Sequence, residues 1–314
     1  MGILVYSEDI NTVLELVTLG TRLGKDTSVA LLGHGDQSSA TKKVSVKGVS
    51  TVYQVSNETL KDLLVGPIVD ALEAVYQQSK PDLVLVGSTK RGRDIAAKFA
   101  TRLGIGCIND AVKLQLNGSD TTAERLVWGG NAIASMVSKE CAVVTVPPRA
   151  YERAESPSSP KITSIDFQPK TNRVVLVGKK EKPRGEASLK DAQTVVSAGR
   201  GFKKKEDLAI LDDLVKMLNG VMGVSRPLAS DLGWVSEERQ VGLTGTTVKP
   251  KLYVAVGISG QIQHLTGMRD SKVVVAINSD KNAPIFQECD YGLVGDLYQV
   301  VPELVKALKT KLGR

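Results

Sequence analysis

Residues 252–278 read LYVAVGISGQIQHLTGMRDSKVVVAIN, and their pattern decides the fold. An apolar run at 252–256 breaks at Gly257-Ile258-Ser259-Gly260. It continues through polar residues with helix-like spacing and gives way to a second apolar run at 273–277. That is strand, turn, helix, strand. β-branched runs without polar alternation suit strands covered on both faces, as in a parallel α/β sheet whose crossovers are helices. Such sheets bind ligands beyond the carboxyl ends of their strands. Gly257 and Gly260 let backbone approach a ligand closely. Ser259 reads as an N-cap whose helix offers free N–H groups to an anion such as a nucleotide pyrophosphate. The spacing alone fits an ordinary capped Gly-Ser turn equally well, since a lone GxxG is a weak signal.

The neighbours extend the pattern. A strand at 194–198 is followed by Gly199-Arg200-Gly201, an amphipathic helix spans 207–218, and a run at 221–224 is followed by Ser225-Arg226-Pro227. Ser259 follows the run at 252–256, Asn278 follows the run at 273–277, and Asp296 follows the run at 291–295. Polar or glycine-rich positions confined to strand ends point to one crevice at the carboxyl edge of the sheet. The loop Gln240-Val241-Gly242-Leu243-Thr244-Gly245-Thr246-Thr247 belongs with them, and no GxGxxG occurs anywhere, so the crevice is not a standard dinucleotide site.

Upstream, short apolar runs at 3–6, 29–32, 52–55 and 83–86 alternate with amphipathic stretches at 11–23 and 58–78, the second interrupted by Pro67. This too is α/β with a parallel sheet. Gly87-Ser88-Thr89-Lys90-Arg91-Gly92-Arg93 follows a strand and opens a helix, so it could hold phosphate, but it lacks a Walker pattern. From Asp110 shorter strands are expected at 112–116, 142–146, 162–167 and 173–177, some of them antiparallel. The charged segment 179–186, carrying Pro183 and Gly185, reads as a linker about which the second domain can pivot. The expected domains are residues 1–184, a mostly parallel α/β sheet with added strands, and residues 185–314, a doubly wound parallel sheet.

Composition narrows the class. With 314 residues, 42% hydrophobic and 24% charged, the chain is of ordinary globular make-up and long enough for two unequal domains. No apolar segment reaches the roughly 20 residues that span a bilayer, and no leader pattern opens the chain. A cytoplasmic location is expected, or the mitochondrial matrix for a eukaryotic chain lacking its transit peptide. Cys107, Cys141 and Cys289 are an odd set without CxxC, which indicates neither disulfides nor a metal site but inert, partly buried thiols. Net charge +7 fits a lysine-rich solvated surface better than nucleic-acid binding, since 4% aromatic residues leave little for base stacking.

Leu252-Tyr253-Val254-Ala255, Gly257-Ile258-Ser259-Gly260, Ile262-Gln263-His264, Gly267 and Ala276-Ile277-Asn278 together resemble the signature of the electron transfer flavoprotein α subunit, a likeness that covers most of the chain. The resemblance implies a C-terminal FAD domain in a heterodimeric electron carrier. It implies that Arg200, Ser225, Ser259, Gly260, Gln263, Asn278 and Asp296 hold the ADP and ribityl parts of FAD. Arg226, Thr244 and His264 would lie around the flavin ring, with Gln240, Val241 and Gly245 in the same site loop. The residue types agree: Arg200 is a bidentate phosphate donor, Ser225 and Asn278 suit ribose or adenine edges, and Asp296 accepts from a ribose hydroxyl. Taken singly, the arginines could be surface salt-bridge partners, Asn278 and Asp296 turn or cap residues, and His264 a structural histidine. Leu243 departs from the family, which has glutamine there.

One-electron reduction of a flavin puts negative charge toward N1 and the C2 carbonyl, where Arg226 or protonated His264 would stabilise it. No acid–base pair or nucleophile constellation accompanies these residues, so no catalytic residues are expected. The resemblance further implies a β-subunit partner, with subunit interaction assigned to residues 1–184, flavoprotein dehydrogenases as donors and a quinone-linked oxidoreductase as acceptor. Two readings stay open beside it, a subunit of an electron-bifurcating complex using NADH and a non-redox adenine-nucleotide module.

Overall fold

The computed structural model describes residues 2–118, 120–130, 132–170, 174–178 and 188–312. They fall into two compact units, Met1–Glu181 and Lys182–Arg314. The segment 179–186 expected as a linker lies outside the described residues.

In chain order the first unit holds β1 (Gly2–Tyr6), α1 (Ile10–Arg22), β2 (Asp26–Gly33), α2 (Ser38–Val44), β3 (Val49–Ser56), α3 (Val65–Ser79), β4 (Leu83–Gly87), α4 (Lys90–Leu103) and β5 (Gly106–Ile108). β6 (Ala111–Asn117), β7 (Asp120–Val127), β8 (Ala132–Ser138), β9 (Ala142–Val146) and β10 (Lys161–Ser164) follow. Seven strands form one parallel sheet ordered β10-β3-β2-β1-β4-β9-β5. Alternate residues of β1 serve opposite faces: Ile3 and Val5 pack with α1 through Leu16 and Val17, while Leu4 and Tyr6 pack with α3 and α4 through Leu72 and Phe99. Burying each such side chain contributes roughly 1.5–3 kcal/mol, which is why the runs carry no polar alternation. Pro67 falls in the first turn of α3, where its missing N–H costs nothing.

The remaining strands, β6, β7 and β8, make a separate antiparallel sheet. Among the named strands antiparallel pairing is confined to them, because β9 and β10 rejoin the parallel sheet; one isolated antiparallel bridge joins Val46 and Pro157. The strand expected at 162–167 ends at Ser164, and none forms over 174–177, where Val174, Val175, Leu176 and Val177 are exposed. The Gly87–Arg93 turn opens α4 as expected, with Thr89 Oγ1 accepting from Gly92 N at 2.8 Å. Its hydroxyls are tied into the chain: Ser88 donates to Asp110 and Thr89 to Glu8 at 2.6 Å, while the exposed Arg93 lies 3.6 Å from Asp110. Cys107 is exposed rather than partly buried.

The second unit holds β11 (Thr194–Ala198), α5 (Asp212–Met217), β12 (Val221–Val224), β13 (Leu252–Val256), α6 (Ile262–Leu265), β14 (Val274–Asn278), β15 (Tyr291–Val294) and α7 (Leu297–Leu312). Its five strands are all parallel, in the order β12-β11-β13-β14-β15. Val196, Val254 and Ile277 face α5 and α7, while Val195, Tyr253 and Ala276 face Leu265, Met268 and Ile285. The chain leaves β11 toward β12 and returns past it to β13, so the direction of winding reverses between β11 and β13. Ligands of open α/β sheets bind at such a switch point. The helix expected at 207–218 is split into a 3₁₀ stretch, Glu206–Leu211, and the shorter α5.

Candidate functional site

Beyond the carboxyl ends of β11, β12, β13 and β14 lies an open cleft of about 570 Å³, within the usual span of roughly 300–1,000 Å³ for ligand pockets. A smaller hollow of about 220 Å³ in the first unit lies at the amino ends of β1 and β4, away from the carboxyl ends of its strands.

Backbone contacts bring the cleft loops together. After β11, Gly199 N donates to Val256 O at 2.8 Å and Gly201 N to Gly257 O at 2.9 Å, and a Cβ on Gly199 would lie 2.2 Å from Gly257 O. Only glycine lets these two turns stack and so seat Arg200 beside the Gly257–Gly260 turn. After β12, Ser225 N donates to Ala198 O at 2.9 Å, and Arg226 leads into a π-helical turn, Pro227–Asp231. After β13, Asn278 Nδ2 donates to Ile258 O at 2.8 Å and Ile285 N donates to Ser259 O at 3.0 Å, which pins the turn from both sides.

The loop at 240–246 closes the cleft opposite that turn. Leu243 N donates to Gln263 O at 2.7 Å, and a Cβ on Gly267 would stand 2.4 Å from Gly242. Gln240 is buried, its amide oxygen accepting from Ser230 at 3.0 Å and its NH₂ donating to Thr244 Oγ1 at 2.9 Å. Gly245 holds the bend, its N–H donating to Gly242 O at 3.1 Å, but it does not line the cleft.

Eleven of the expected site residues converge here: Arg200, Ser225, Arg226, Gln240, Val241, Thr244, Ser259, Gly260, Gln263, His264 and Asn278 line the cleft. Asp296 does not. Its Oδ1 accepts from Tyr298 N at 2.9 Å and its carbonyl from Val300 N, so it serves as the cap of α7. Ser259 is no N-cap, because Gly260 turns at φ +89° and the next helix starts only at Ile262, behind Gln261. That helix has four residues, too short for a useful dipole. The cleft therefore offers an anion its arginines and turn N–H groups, not a helix end.

Electrostatics sharpen this. Among the described residues neither Arg200 nor Arg226 forms an ion pair, so the surface salt-bridge alternative is not realised. Ser225 Oγ and His264 Nδ1 are buried without a hydrogen-bond partner in the chain. An orphaned buried donor or acceptor costs about 1–3 kcal/mol, so each is a reason to expect a ligand. Burial pushes His264 down to about 4, with the Val241 backbone working against the shift. Burial thus favours the neutral imidazole in the chain by itself, against the expectation of a protonated His264 there. Sequence reasoning quoted Gly201, Ile258 and Tyr253 within its motifs without assigning them to the site, and did not name Gln261; Gly201, Ile258 and Gln261 stand in the cleft wall and Tyr253 behind it.

Residues 6–169 match the family described as the electron transfer flavoprotein domain, and residues 188–269 match the electron transfer flavoprotein FAD-binding domain. The electron transfer flavoprotein subunit alpha of Pseudomonas aeruginosa is 37% identical over 318 residues, covering 98% of this chain and 100% of that one. The proteins of the same name from Thermoanaerobacterium thermosaccharolyticum and Bacillus subtilis are 34% and 35% identical, over 96% and 95% of this chain and 94% and 93% of theirs.

Proposed function

The chain belongs to the electron transfer flavoprotein α-subunit family, and on that premise we propose that the cleft between β11 and β13 is where it holds FAD as one half of an electron-carrying heterodimer. The β subunit completes the carrier, flavoprotein dehydrogenases supply electrons, and a quinone-linked oxidoreductase takes them, in the cytoplasm. The observation that carries the site is the meeting of two arginines that form no ion pair among the described residues with the buried Ser225 Oγ and His264 Nδ1, which have no hydrogen-bond partner among them, around glycine turns with no room for a Cβ.

These residues fit the cofactor. Arg200, beside the stacked turns of Gly199–Gly201 and Gly257–Gly260, suits the pyrophosphate. Ser225, Gln263 and Asn278 suit hydroxyl and adenine edges, and Thr244, His264 and Arg226 suit the ring. Bound FAD supplies the redox chemistry; the chain binds it, orients it and sets the field around it.

Arg200→Ala is expected to weaken FAD retention by about 1.5–3 kcal/mol, the worth of a charge-assisted hydrogen bond. Equilibrium titration of flavin-free protein with FAD checks it, and unchanged affinity would remove Arg200 from the site. Asp296→Ala, by contrast, is expected to lower stability by about 1 kcal/mol through the lost helix cap and to leave FAD retention alone. Thermal unfolding beside flavin content measures both, and an equally stable but flavin-poor variant would return Asp296 to the site.

A further inference from the structure

Behind the cleft stands a side chain to which the sequence pattern gave no role of its own. Tyr253, in β13, is fully buried, and its Oη lies 2.8 Å from Nε2 of His264, which is 7% exposed. A phenol has one hydrogen, and a neutral imidazole has one donor and one acceptor nitrogen. Burial raises Tyr253 well above the usual tyrosine range and lowers His264, and no charged side chain contributes to either shift. Two neutral groups therefore share one hydrogen. If the phenol donates, the imidazole hydrogen sits on Nδ1; if Nε2–H donates, Nδ1 is left a bare acceptor. The Val241 backbone bears on the choice. It favours added hydrogen on the ring, while Nδ1, in a ring that lines the cleft, has no partner in the chain. With Nε2 taken by the phenol, Nδ1–H stays available to an acceptor in the cleft.

We propose that Tyr253 is a positioning residue for the FAD site: by donating its hydrogen to Nε2 it locks the His264 ring in the Nδ1–H tautomer. The imidazole thus presents a neutral, fixed hydrogen-bond donor to a carbonyl or ring nitrogen of the isoalloxazine. The flavin part of this inference rests on the cleft being the FAD site; the tautomer lock does not.

Nitrogen-15 spectra of histidine-labelled full-length chain test it, since the chain has two histidines, His34 and His264, and the exposed His34 is identified by a His34→Gln variant. The expected result is a protonated Nδ1 and an unprotonated Nε2 for His264, with and without FAD, unchanged from neutral pH to about pH 6. Tyr253→Phe keeps the packed ring and removes the hydrogen. Its two His264 signals are expected to move toward each other as the tautomers mix, and the FAD dissociation constant to rise roughly 3- to 10-fold. A wild-type His264 carrying its hydrogen on Nε2, or a Tyr253→Phe spectrum like that of wild type, overturns the lock. Wild-type chain that shows the lock but binds no FAD overturns the cleft assignment and the flavin part with it.

Discussion

Gly260→Ala is expected to strip FAD from the protein while the first unit stays folded. Gly260 sits at φ +89°, a conformation that L side chains rarely adopt, and forcing alanine into it costs about 1–3 kcal/mol before any contact is counted. The contacts are worse. The new Cβ would stand 2.3 Å from Ile285 N and 2.6 Å from its Cα, both backbone atoms that no rotamer change can move aside. Ile285 N is also the donor to Ser259 O at 3.0 Å, so the clash falls on the bond that pins the turn from one side. Relief requires the turn or the Pro284–Gln287 segment to move, and Ser259 with Gly260 lines the cleft. The second unit should lose several degrees of thermal stability and most of its affinity for FAD, read by unfolding of flavin-free protein and by flavin titration. Wild-type affinity in this variant would show that the cleft tolerates a displaced turn and that the tight 257–260 backbone is not what shapes it.

The sheet was legible in the sequence because its strands are buried on both faces, and burial forces uninterrupted β-branched runs. The strand-end residues were legible for the same reason reversed: Arg200, Ser225, Ser259 and Asn278 are polar where the apolar run must stop. What the pattern could not carry was anything fixed by distant chain. Ser259 reads as a cap because Ser before a helical stretch usually is one. Here Gly260 and the Gly242–Gly267 crossing shorten the helix to a single turn and move its start to Ile262. Asp296 reads as a ribose acceptor by resemblance and as a turn or cap residue when taken singly, and its contact with Tyr298 N exists only once α7 begins at Leu297. Tyr253 is indistinguishable in sequence from its apolar strand neighbours. Its hydroxyl acquires a partner only when α6 folds over β13 and brings His264 within 2.8 Å. The second edge of the first unit, β6 to β8, was missed as a separate sheet because β7 and β8 alternate weakly and expose Leu126, Ile133 and Val137.

Replacing Arg226 is expected to lower the potential of the first electron in the order wild type, lysine, alanine. Arg226 stands one residue past β12, after Ser225, and Pro227 restrains the backbone on either side of that junction, so the guanidinium is carried into the cleft wall from a fixed base. It has no carboxylate partner among the described residues, which leaves its full charge to act on whatever the cleft holds. With His264 neutral, Arg226 and Arg200 are the cationic side chains of the cleft wall, and the resemblance places Arg226 nearer the ring. Adding one electron to the cofactor adds one negative charge. A cation about 4 Å away at an effective dielectric near 20 favours that charge by at most about 4 kcal/mol. Arg226 is exposed, so solvent and salt reduce the effect to a fraction of this ceiling, and the difference between variants should shrink as salt rises. Lysine keeps the charge but loses the planar fork and the stacking face, so it should fall between the two. Stepwise redox titration of fully flavinated variants measures the shift. An Arg226→Ala protein that holds FAD normally and keeps the wild-type first-electron potential would place the guanidinium away from the ring, and the field that tunes the cofactor would then have to come from Arg200 or from the β subunit.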